Sequence, residues 1–280
     1  MRITPIFNYN YKYNQPSFGV NLESRKLRFN NDDFFVRIKG YGTNSDWAKK
    51  IIETADAAVK FIRTKLDFES VLRYITIGVQ KANQIPNDLD KRNHSGILRA
   101  KRTNWQFGSD WESNDLITRY DKRKSRYRQY NNRFDEVVNY PLKNPYKKFM
   151  LTRPKHSRDD GKYLNHADGE YVNHALDMVS DLYNQLNEKF VGKDITTEDL
   201  NEINSIIAEI RWILAHATPW ERGSDAIANT FIRTIYKALG IKASPLKRGV
   251  SLDLEAYCTN LKDYKENFCK YFSHKPYIVE

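Results

Sequence analysis

The chain has 280 residues, of which 40% are hydrophobic and 29% charged, and its formal net charge is +11. This composition argues against disorder throughout, and the length allows one large domain or two small ones. The positive charge favours anionic partners such as nucleic acid, nucleotides or acidic proteins without choosing among them. No stretch approaches the roughly 20 apolar residues of a membrane span and the start lacks a secretory signal, so we expect a cytoplasmic protein or an effector exported by a specialised route.

The first forty residues predict an irregular arm, and residues 41–280 predict a single helical domain. The arm is rich in Asn and Tyr, and the short stretches KLRF and FFVRIKG favour one or two strands. Two amphipathic helices should follow, because apolar residues recur every three or four positions in SDWAKKIIETADAAVKFIRTKL and in DFESVLRYITIGVQKAN.

Residues 84–165 predict a basic, loop-rich insertion with at most a small β element. The segment RYDKRKSRYRQYNNR holds seven Arg or Lys against one Asp, interleaved with tyrosines. A solvated charged surface is one interpretation. The other is a surface for RNA or single-stranded DNA, or for an acidic protein, in which cations hold phosphates and rings stack on bases. The residues assigned to this alternative are Arg123, Lys124, Arg126, Tyr127, Arg128 and Tyr130.

Residues 169–272 predict the helical core of a mainly α protein. Apolar stripes run through EYVNHALDMVSDLYNQLNEKF, LNEINSIIAEIRWILAH and SDAIANTFIRTIYKALG. Thr196 and Asp199 have the spacing of a capping box, and Gly240 is placed to end the third of these helices. A last helix should begin near Ser251.

The two cysteines predict free thiols. If one helix holds both Cys258 and Cys269, their separation is about 16 Å at a rise of roughly 1.5 Å per residue. A disulfide needs Cα atoms within about 7 Å, so the pair cannot form one. Free thiols agree with reducing surroundings.

The stretch HATPWERGSDAIANTF, residues 216–231, predicts a corner between two core helices. Pro219 drives the residue before it out of helical geometry, and Gly223 allows a backbone conformation that other residues avoid. Ser224 is placed to cap the next helix, with Asp225 in its first turn. A helix N-terminus beside Arg222 is suited to an anion such as a phosphate.

Polar residues continue from this corner along one face of the next helix. Asp225, Asn229 and Arg233 recur every four residues, opposite an apolar stripe. We assign ligand or phosphate binding to Arg222, Gly223, Ser224, Asn229 and Arg233. The alternative is structural: the arginines pair with nearby carboxylates, and the glycine only permits a tight corner.

The corner resembles the active-site region of Fic/Doc (Fido) proteins, whose motif reads His-Pro-Phe-x-(Asp/Glu)-Gly-Asn. Pro219 matches the proline, Trp220 stands for the aromatic residue and Gly223 matches the first glycine. The chain departs from the motif elsewhere, since Thr218 stands at the catalytic histidine and Arg222 at the acidic metal ligand. The similarity covers roughly 40 of the 280 residues.

The resemblance implies a multi-helix Fic-like bundle that transfers AMP or a related group from a nucleotide to a protein hydroxyl. ATP or another nucleotide with Mg²⁺ would then be the cofactor, and a protein the target, as in a toxin or effector. With Thr218 in place of the base, His216 could take its role, because imidazole abstracts protons near neutral pH. We assign catalysis to His216, Glu221 and Asp225. A histidine that favours the helix dipole is the structural alternative for His216.

No metal site is predicted. The stretch KHSRDDGKYLNHADGE collects histidines and carboxylates, but its spacing matches no standard zinc or calcium loop.

Overall fold

The computed structural model describes residues 27–83, 95–100, 116–121, 127–159 and 161–279. These residues form eight α-helices and five short strands, which confirms the prediction of a mainly α protein. Arg123, Lys124 and Arg126 of the predicted nucleic-acid surface lie outside the described residues, as does most of the N-terminal arm.

The described part of the arm packs on the core without a strand. Residues 31–33 form one 3-10 turn, and Phe34, Val36 and Ile38 are buried. The strand predicted for FFVRIKG is therefore wrong. Phe35 is buried together with its neighbours, so the segment has no solvent face of the kind that an alternating strand needs.

Two helices follow the arm and pack against each other. Helix α1 spans Ser45–Arg63 and α2 spans Phe68–Asn83. The side chain of Asn44 caps α1 by accepting from the backbone N–H groups of Asp46 and Trp47. Both helices bury the stripe predicted from their sequences, and α1 also packs on α6.

The basic insertion folds around a small antiparallel sheet. Strands β1 (Ile117–Arg119), β2 (Arg153–Ser157) and β3 (Gly161–Asn165) lie in the order β1-β3-β2, and helix α3 (Asn131–Asn139) packs against β2. The register pairs Thr118 and Pro154 with Leu164 on the middle strand. The β element predicted for this region is thus confirmed.

Helix α5 is the centre of the fold. It spans Thr197–Ala217 and contacts α4 (Gly169–Phe190), α6 (Ser224–Ala238), α7 (Leu252–Tyr257) and α8 (Leu261–Asn267). Nearly every residue of α5 from 203 onward is buried, as expected for a helix enclosed on all sides.

The predicted helix boundaries of the core are largely confirmed. Thr196 and Asp199 form the capping box of α5, and Gly240, with φ +75°, follows the end of α6. The predicted last helix is two helices, because the chain turns between Cys258 and Asn260. Both cysteines are free thiols, as predicted. Strands β4 (Ile241–Lys242) and β5 (Tyr277–Ile278) pair near the C-terminus. No helix in the described ranges has the length and apolar content to cross a membrane.

Candidate functional site

The predicted corner between α5 and α6 is present. Helix α5 ends at Ala217, and Thr218 adopts φ +44°, a left-handed conformation that is uncommon for residues other than glycine. Pro219 follows, and Gly223 has φ +86° directly before α6. The chain therefore turns sharply between two buried helices, as the proline and glycine predicted.

Ser224 does not cap α6, so that prediction is wrong. Gly223 holds the N-cap position, and Ser224 is the first residue of the helix. The Ser224 hydroxyl accepts from the backbone N–H of Trp220 at 3.1 Å and donates to the Trp220 carbonyl at 2.9 Å. Ser224 thus joins the start of α6 to Trp220 within the corner. The left-handed Gly223 takes the N-cap position one residue earlier.

A neighbouring segment holds the corner from outside. Ile97 accepts a backbone hydrogen bond from Glu221 at 3.0 Å, and Arg99 donates its backbone N–H to Pro219 at 2.8 Å. The buried Arg99 guanidinium binds the carbonyl oxygens of Thr218 and Ala167. Burial lowers the pKa of Arg99. These bonds fix the position of the corner against the sheet region.

The conformation of Gly223 serves this packing. A Cβ at Gly223 would lie 2.9 Å from Ser95 Oγ, closer than ordinary contacts allow. Ser95 Oγ in turn accepts from Asn83 Nδ2 at 2.6 Å. The glycine thus permits the approach of a side chain of the protein itself, which agrees with the structural alternative for this residue.

A cavity of about 380 Å³ opens beside the corner. Its walls come from the end of α5, the corner, the first residues of α6, α7, and the region of β1 and β3. The polar and aromatic side chains of the lining include those of Thr118, Tyr127, His166, Arg211, Thr218, Trp220, Glu221, Arg222, Ser224, Asp225, Asp253 and Tyr257. The volume falls within the range of small-molecule sites in proteins.

Arg211 is the buried cation of the cavity. Its Nε donates to Asn229 Oδ1 at 3.0 Å, and its Nη2 pairs with Asp225 Oδ1. Its Nη1 is buried and has no hydrogen-bond partner among the described residues. Burial by itself lowers the pKa of Arg211. The nearby charge of Asp225 and the neighbouring groups together outweigh this effect, so the net shift of the pKa is upward. Arg211 is therefore a charged side chain of the lining with one buried N–H group that the described residues do not use.

His166 is a neutral imidazole on the cavity wall. Its pKa is lowered to about 3, first by burial and then by electrostatic interaction with Arg99 and His216. Its Nδ1 lies 3.1 Å from Thr152 Oγ1 and 3.0 Å from Thr218 Oγ1. Each of these hydroxyls donates its proton to a carbonyl of α5. They can only accept from the ring, so Nδ1 carries the proton and Nε2 accepts from Thr118, 3.0 Å away.

The structure brings most of the predicted corner residues together. Glu221, Arg222, Gly223, Ser224 and Asp225 all line the cavity, with the Arg222 side chain exposed at its edge. Asn229 lies behind this lining. It is buried and connects Asp225 to Arg211 through its amide group, with an Nδ2–Oδ2 distance of 3.1 Å to Asp225.

Two predicted site residues lie elsewhere. His216 is not part of the cavity lining, its Nε2 donates to the Ala256 carbonyl at 3.0 Å, and burial lowers its pKa to about 3. A group that binds its proton only at such low pH is a weak general base near neutrality. Arg233 is buried and donates to the carbonyls of Ala243 and Ser244, so it does not share the cavity with Arg222.

The tyrosines assigned to nucleic-acid stacking are buried. Tyr127 is 8% exposed and Tyr130 is 1% exposed, and the Tyr130 hydroxyl donates to Glu255 at 2.8 Å. Their rings offer no open face to a base, which does not agree with the predicted stacking role. Arg128 is exposed.

Sequence reasoning missed the side chains that make this cavity polar. Arg211 had a signal, since an arginine in the apolar run IIAEIRWILAHA is a charge where burial is costly without a partner. His166, Asp253 and Tyr257 had no such signal. They reach the cavity from distant segments, and only the packing of α7 and the sheet on α5 brings them together.

Comparison with known proteins identifies the family. A family model described as avirulence protein, AvrB_AvrC, matches residues 104–275. This chain belongs to the AvrB/AvrC avirulence protein family. Avirulence protein B of Pseudomonas savastanoi pv. glycinea is 30% identical over 105 residues, which are 38% of this chain and 30% of that protein. The alignment thus spans about a third of the relative. Every lining residue of the cavity falls within the span of the AvrB/AvrC match.

The predicted Fic/Doc resemblance is wrong. No Fic or Doc family matches the chain, and the family that does match is AvrB/AvrC. Pro219, Trp220 and Gly223 are explained by the corner itself: the proline ends α5, the buried Trp220 fills the core, and the glycine turns the chain. The transfer of AMP that the resemblance implied therefore has no support. The coarser prediction of a bacterial effector agrees with the family.

Proposed function

We propose that this AvrB/AvrC protein is a bacterial effector that acts on a host protein and binds a phosphate-bearing small molecule in the cavity beside the α5–α6 corner. The family supports the effector role and its delivery into host cells. The observation that carries the ligand is the buried Nη1 of Arg211, which has no hydrogen-bond partner among the described residues.

Arg211 lines the cavity, and its unused guanidinium donor would favour an anionic acceptor. Leaving a buried charged donor unsatisfied costs about 1–3 kcal/mol or more, so the protein gains when a ligand oxygen accepts from it. Phosphate oxygens suit this role because they form short, charge-assisted bonds to guanidinium groups. Arg222, exposed at the edge of the same cavity, supplies a second cation for such a ligand.

The carboxylates of the cavity indicate what the rest of the ligand carries. Glu221, Asp225 and Asp253 all line it, and Asp225 is already paired with Arg211. Carboxylates accept from hydroxyl or amino groups, so a phosphate attached to a hydroxylated part, as in a nucleotide, matches both sets of side chains. Mg²⁺ could bridge a phosphate and one of these carboxylates, since it prefers oxygen ligands.

The proposal is tested by calorimetric titration of the full chain with nucleoside phosphates, sugar phosphates and inorganic phosphate, each with and without Mg²⁺. We expect at least one organic phosphate to bind. Arg222→Ala should weaken that binding about tenfold, the loss of one charge-assisted hydrogen bond. Arg211→Lys should weaken it as well, because lysine keeps the charge but loses the forked donor.

Arg248→Ala is the matched control. Arg248 is an exposed arginine outside the cavity, so its replacement removes the same charge and should leave affinity unchanged. The proposal fails if no compound in the panel binds. It also fails if Arg222→Ala and Arg211→Lys bind as tightly as the unmodified protein.

A further inference from the structure

A second surface of the molecule combines an apolar groove with a dense cluster of cations. The groove has a volume of about 270 Å³ and lies between the end of α3 and strand β2. Its apolar lining comes from Val137, Val138, Pro141, Leu142, Leu151 and Pro154. None of the residues that line this groove also lines the cavity at the corner.

An exposed aromatic ring extends this apolar surface. Tyr140 is 80% exposed, directly between α3 and the groove residues Pro141 and Leu142. The ring adds to the apolar surface that the groove offers to a partner. Tyrosine is also among the residues enriched where proteins bind each other.

The segment that supplies most of the groove lining is strongly basic. Residues 140–158 contain six Lys or Arg and no Asp or Glu. Two of these cations, Arg153 and Lys155, line the groove itself and are exposed. On α3, Asp135 is paired with Lys162 at 2.6 Å and with His156 at 2.9 Å, and the exposed Glu136 precedes the groove residue Val137.

We propose that this groove binds an extended, acidic segment of a partner protein whose apolar side chains enter the groove and whose carboxylates face Arg153 and Lys155. Apolar contact supplies the affinity, and the cations select an acidic sequence and speed its association. Pro154 stands in β2, an edge strand of the sheet of β1, β2 and β3, and lacks a backbone N–H. The missing donor disfavours addition of a strand along β2, so we expect side chains to hold the partner.

A protein segment fits this surface better than a nucleic acid does. The groove is lined by valine, leucine and proline side chains, which bury aliphatic groups and give no stacking platform for successive bases. Tyr140 is a single ring, whereas single-stranded nucleic acid is usually held by several. The positive charge alone would serve either partner, so the apolar lining decides between them.

The test uses fluorescence anisotropy of the full chain with labelled peptides of about ten residues, about 33 Å long when extended. One peptide alternates Asp or Glu with Val or Leu. A second replaces its apolar residues by Ser, a third replaces its acids by Lys, and a single-stranded oligouridine is the fourth probe. We expect only the first peptide to bind appreciably, and its binding to weaken as salt is raised.

Two variants locate the binding. Arg153→Glu with Lys155→Glu should weaken the first peptide about tenfold or more, and Tyr140→Ser should weaken it severalfold. Lys50→Glu with Lys60→Glu on α1 is the matched control, because it changes the net charge equally at two exposed lysines far from the groove in sequence. That control should bind like the unmodified protein.

Several results would overturn the proposal. Equal binding of the Ser-substituted peptide would mean that the groove plays no part, and equal loss in both charge-reversed variants would mean a non-specific field. Tighter binding of oligouridine at the same residues would assign the surface to nucleic acid. The cavity ligand is tested separately, because Arg222→Ala should leave peptide binding intact and the groove variants should leave phosphate binding intact.

Discussion

Helix α6 has a buried arginine near each end: Arg211 of α5 lies beside its start, and Arg233 lies in its second half. The two arginines differ in how many of their guanidinium nitrogens have hydrogen-bond partners. At the start, Arg211 binds Asp225 and Asn229 and keeps Nη1 without a partner among the described residues. At the other end, Arg233 donates to the carbonyls of Ala243 at 2.9 Å and Ser244 at 3.2 Å.

Their electrostatic surroundings differ as well. Burial lowers the pKa of Arg233 to about 10, with Asp33 acting in the opposite direction from 3.9 Å away. The pKa of Arg211 is shifted upward despite its burial, because Asp225 is close. Burial and charge therefore do not separate the two arginines. They differ in that Arg211, a residue of the cavity lining, keeps a guanidinium nitrogen that the described residues leave without a partner.

The largest expected effect is at the structural end. Arg233→Met should lower the free energy of unfolding by about 3–5 kcal/mol, because the carbonyls of Ala243 and Ser244 lose their donor and the buried Asp33 keeps only Lys242, 3.5 Å away. Urea unfolding of the two proteins measures the difference. Combining the change with Asp33→Asn should recover part of the loss, and a loss below about 1 kcal/mol would contradict a structural role.

The pH dependence should arise at the cavity end. His166 has a pKa of about 3 in the fold against 6.5 for an ordinary histidine. Above pH 6.5 the imidazole is neutral in both states, and its contribution to stability is complete. As the pH falls from 6.5 toward 3, the unfolded chain binds a proton that the folded protein does not. Stability then falls by about 1.4 kcal/mol per pH unit for this residue.

Urea midpoints between neutral and mildly acidic pH check this slope. His166→Gln should remove the contribution of His166 to the slope of stability against pH. The contribution of His216, whose pKa is also lowered to about 3 by burial, should remain. His274→Gln, at an exposed histidine, is the control and should leave the slope unchanged. A slope that is the same in His166→Gln and in the unmodified protein would show that this histidine is not buried in its neutral form.

Arg211→Met should be less destabilising than Arg233→Met. The side chain of Asp225 keeps 20% exposure, so water can solvate it after the arginine is removed. We expect a loss of about 1–3 kcal/mol in the free energy of unfolding. Equal losses of unfolding free energy in Arg211→Met and Arg233→Met would contradict the proposed difference between the two arginines. Under conditions in which both variants are folded, Arg211→Met should lose the binding of a phosphate-bearing compound and Arg233→Met should keep it.

The smallest expected effects are at the glycines that flank α6. Both Gly223 and Gly240 have positive φ, but a Cβ at Gly240 would meet nothing within 4 Å, whereas one at Gly223 would meet Ser95 Oγ at 2.9 Å. Gly240→Ala should therefore cost about 1 kcal/mol from the backbone alone, and Gly223→Ala about 2 kcal/mol. Thermal unfolding under identical conditions compares them. The reverse order would mean that the corner is looser than its contacts indicate.

Much of the fold followed from local patterns. The apolar stripes predicted α1, α2, α4, α5 and α6, and capping residues such as Thr196 and Gly240 marked their ends. Two predictions from local patterns were wrong, because tertiary packing determines the conformation of those segments. FFVRIKG alternates like a strand, yet its apolar residues are buried on both sides. The last helix is broken because the chain turns after Cys258.

The candidate site was predictable only in part, because it is built from segments far apart in the chain. Glu221, Arg222 and Asp225 come from one short stretch of the corner. They line the same cavity because all three lie next to the start of α6. Asn229 and Arg233 share a helical face with Asp225, but the surrounding elements enclose both, so neither lines the cavity.

The sequence by itself determined the mainly helical fold and the sharp corner at residues 218–223, because apolar spacing, proline and glycine act locally. Only the tertiary structure decided which polar groups the described residues satisfy by hydrogen bonds and which they leave without a partner. In the sequence Arg211 interrupts an apolar run and Arg233 continues a polar stripe, and neither pattern shows which of them keeps an unused donor. Their difference lies in partners such as Ala243 and Asp33, whose carbonyl and carboxylate positions depend on how the whole chain packs.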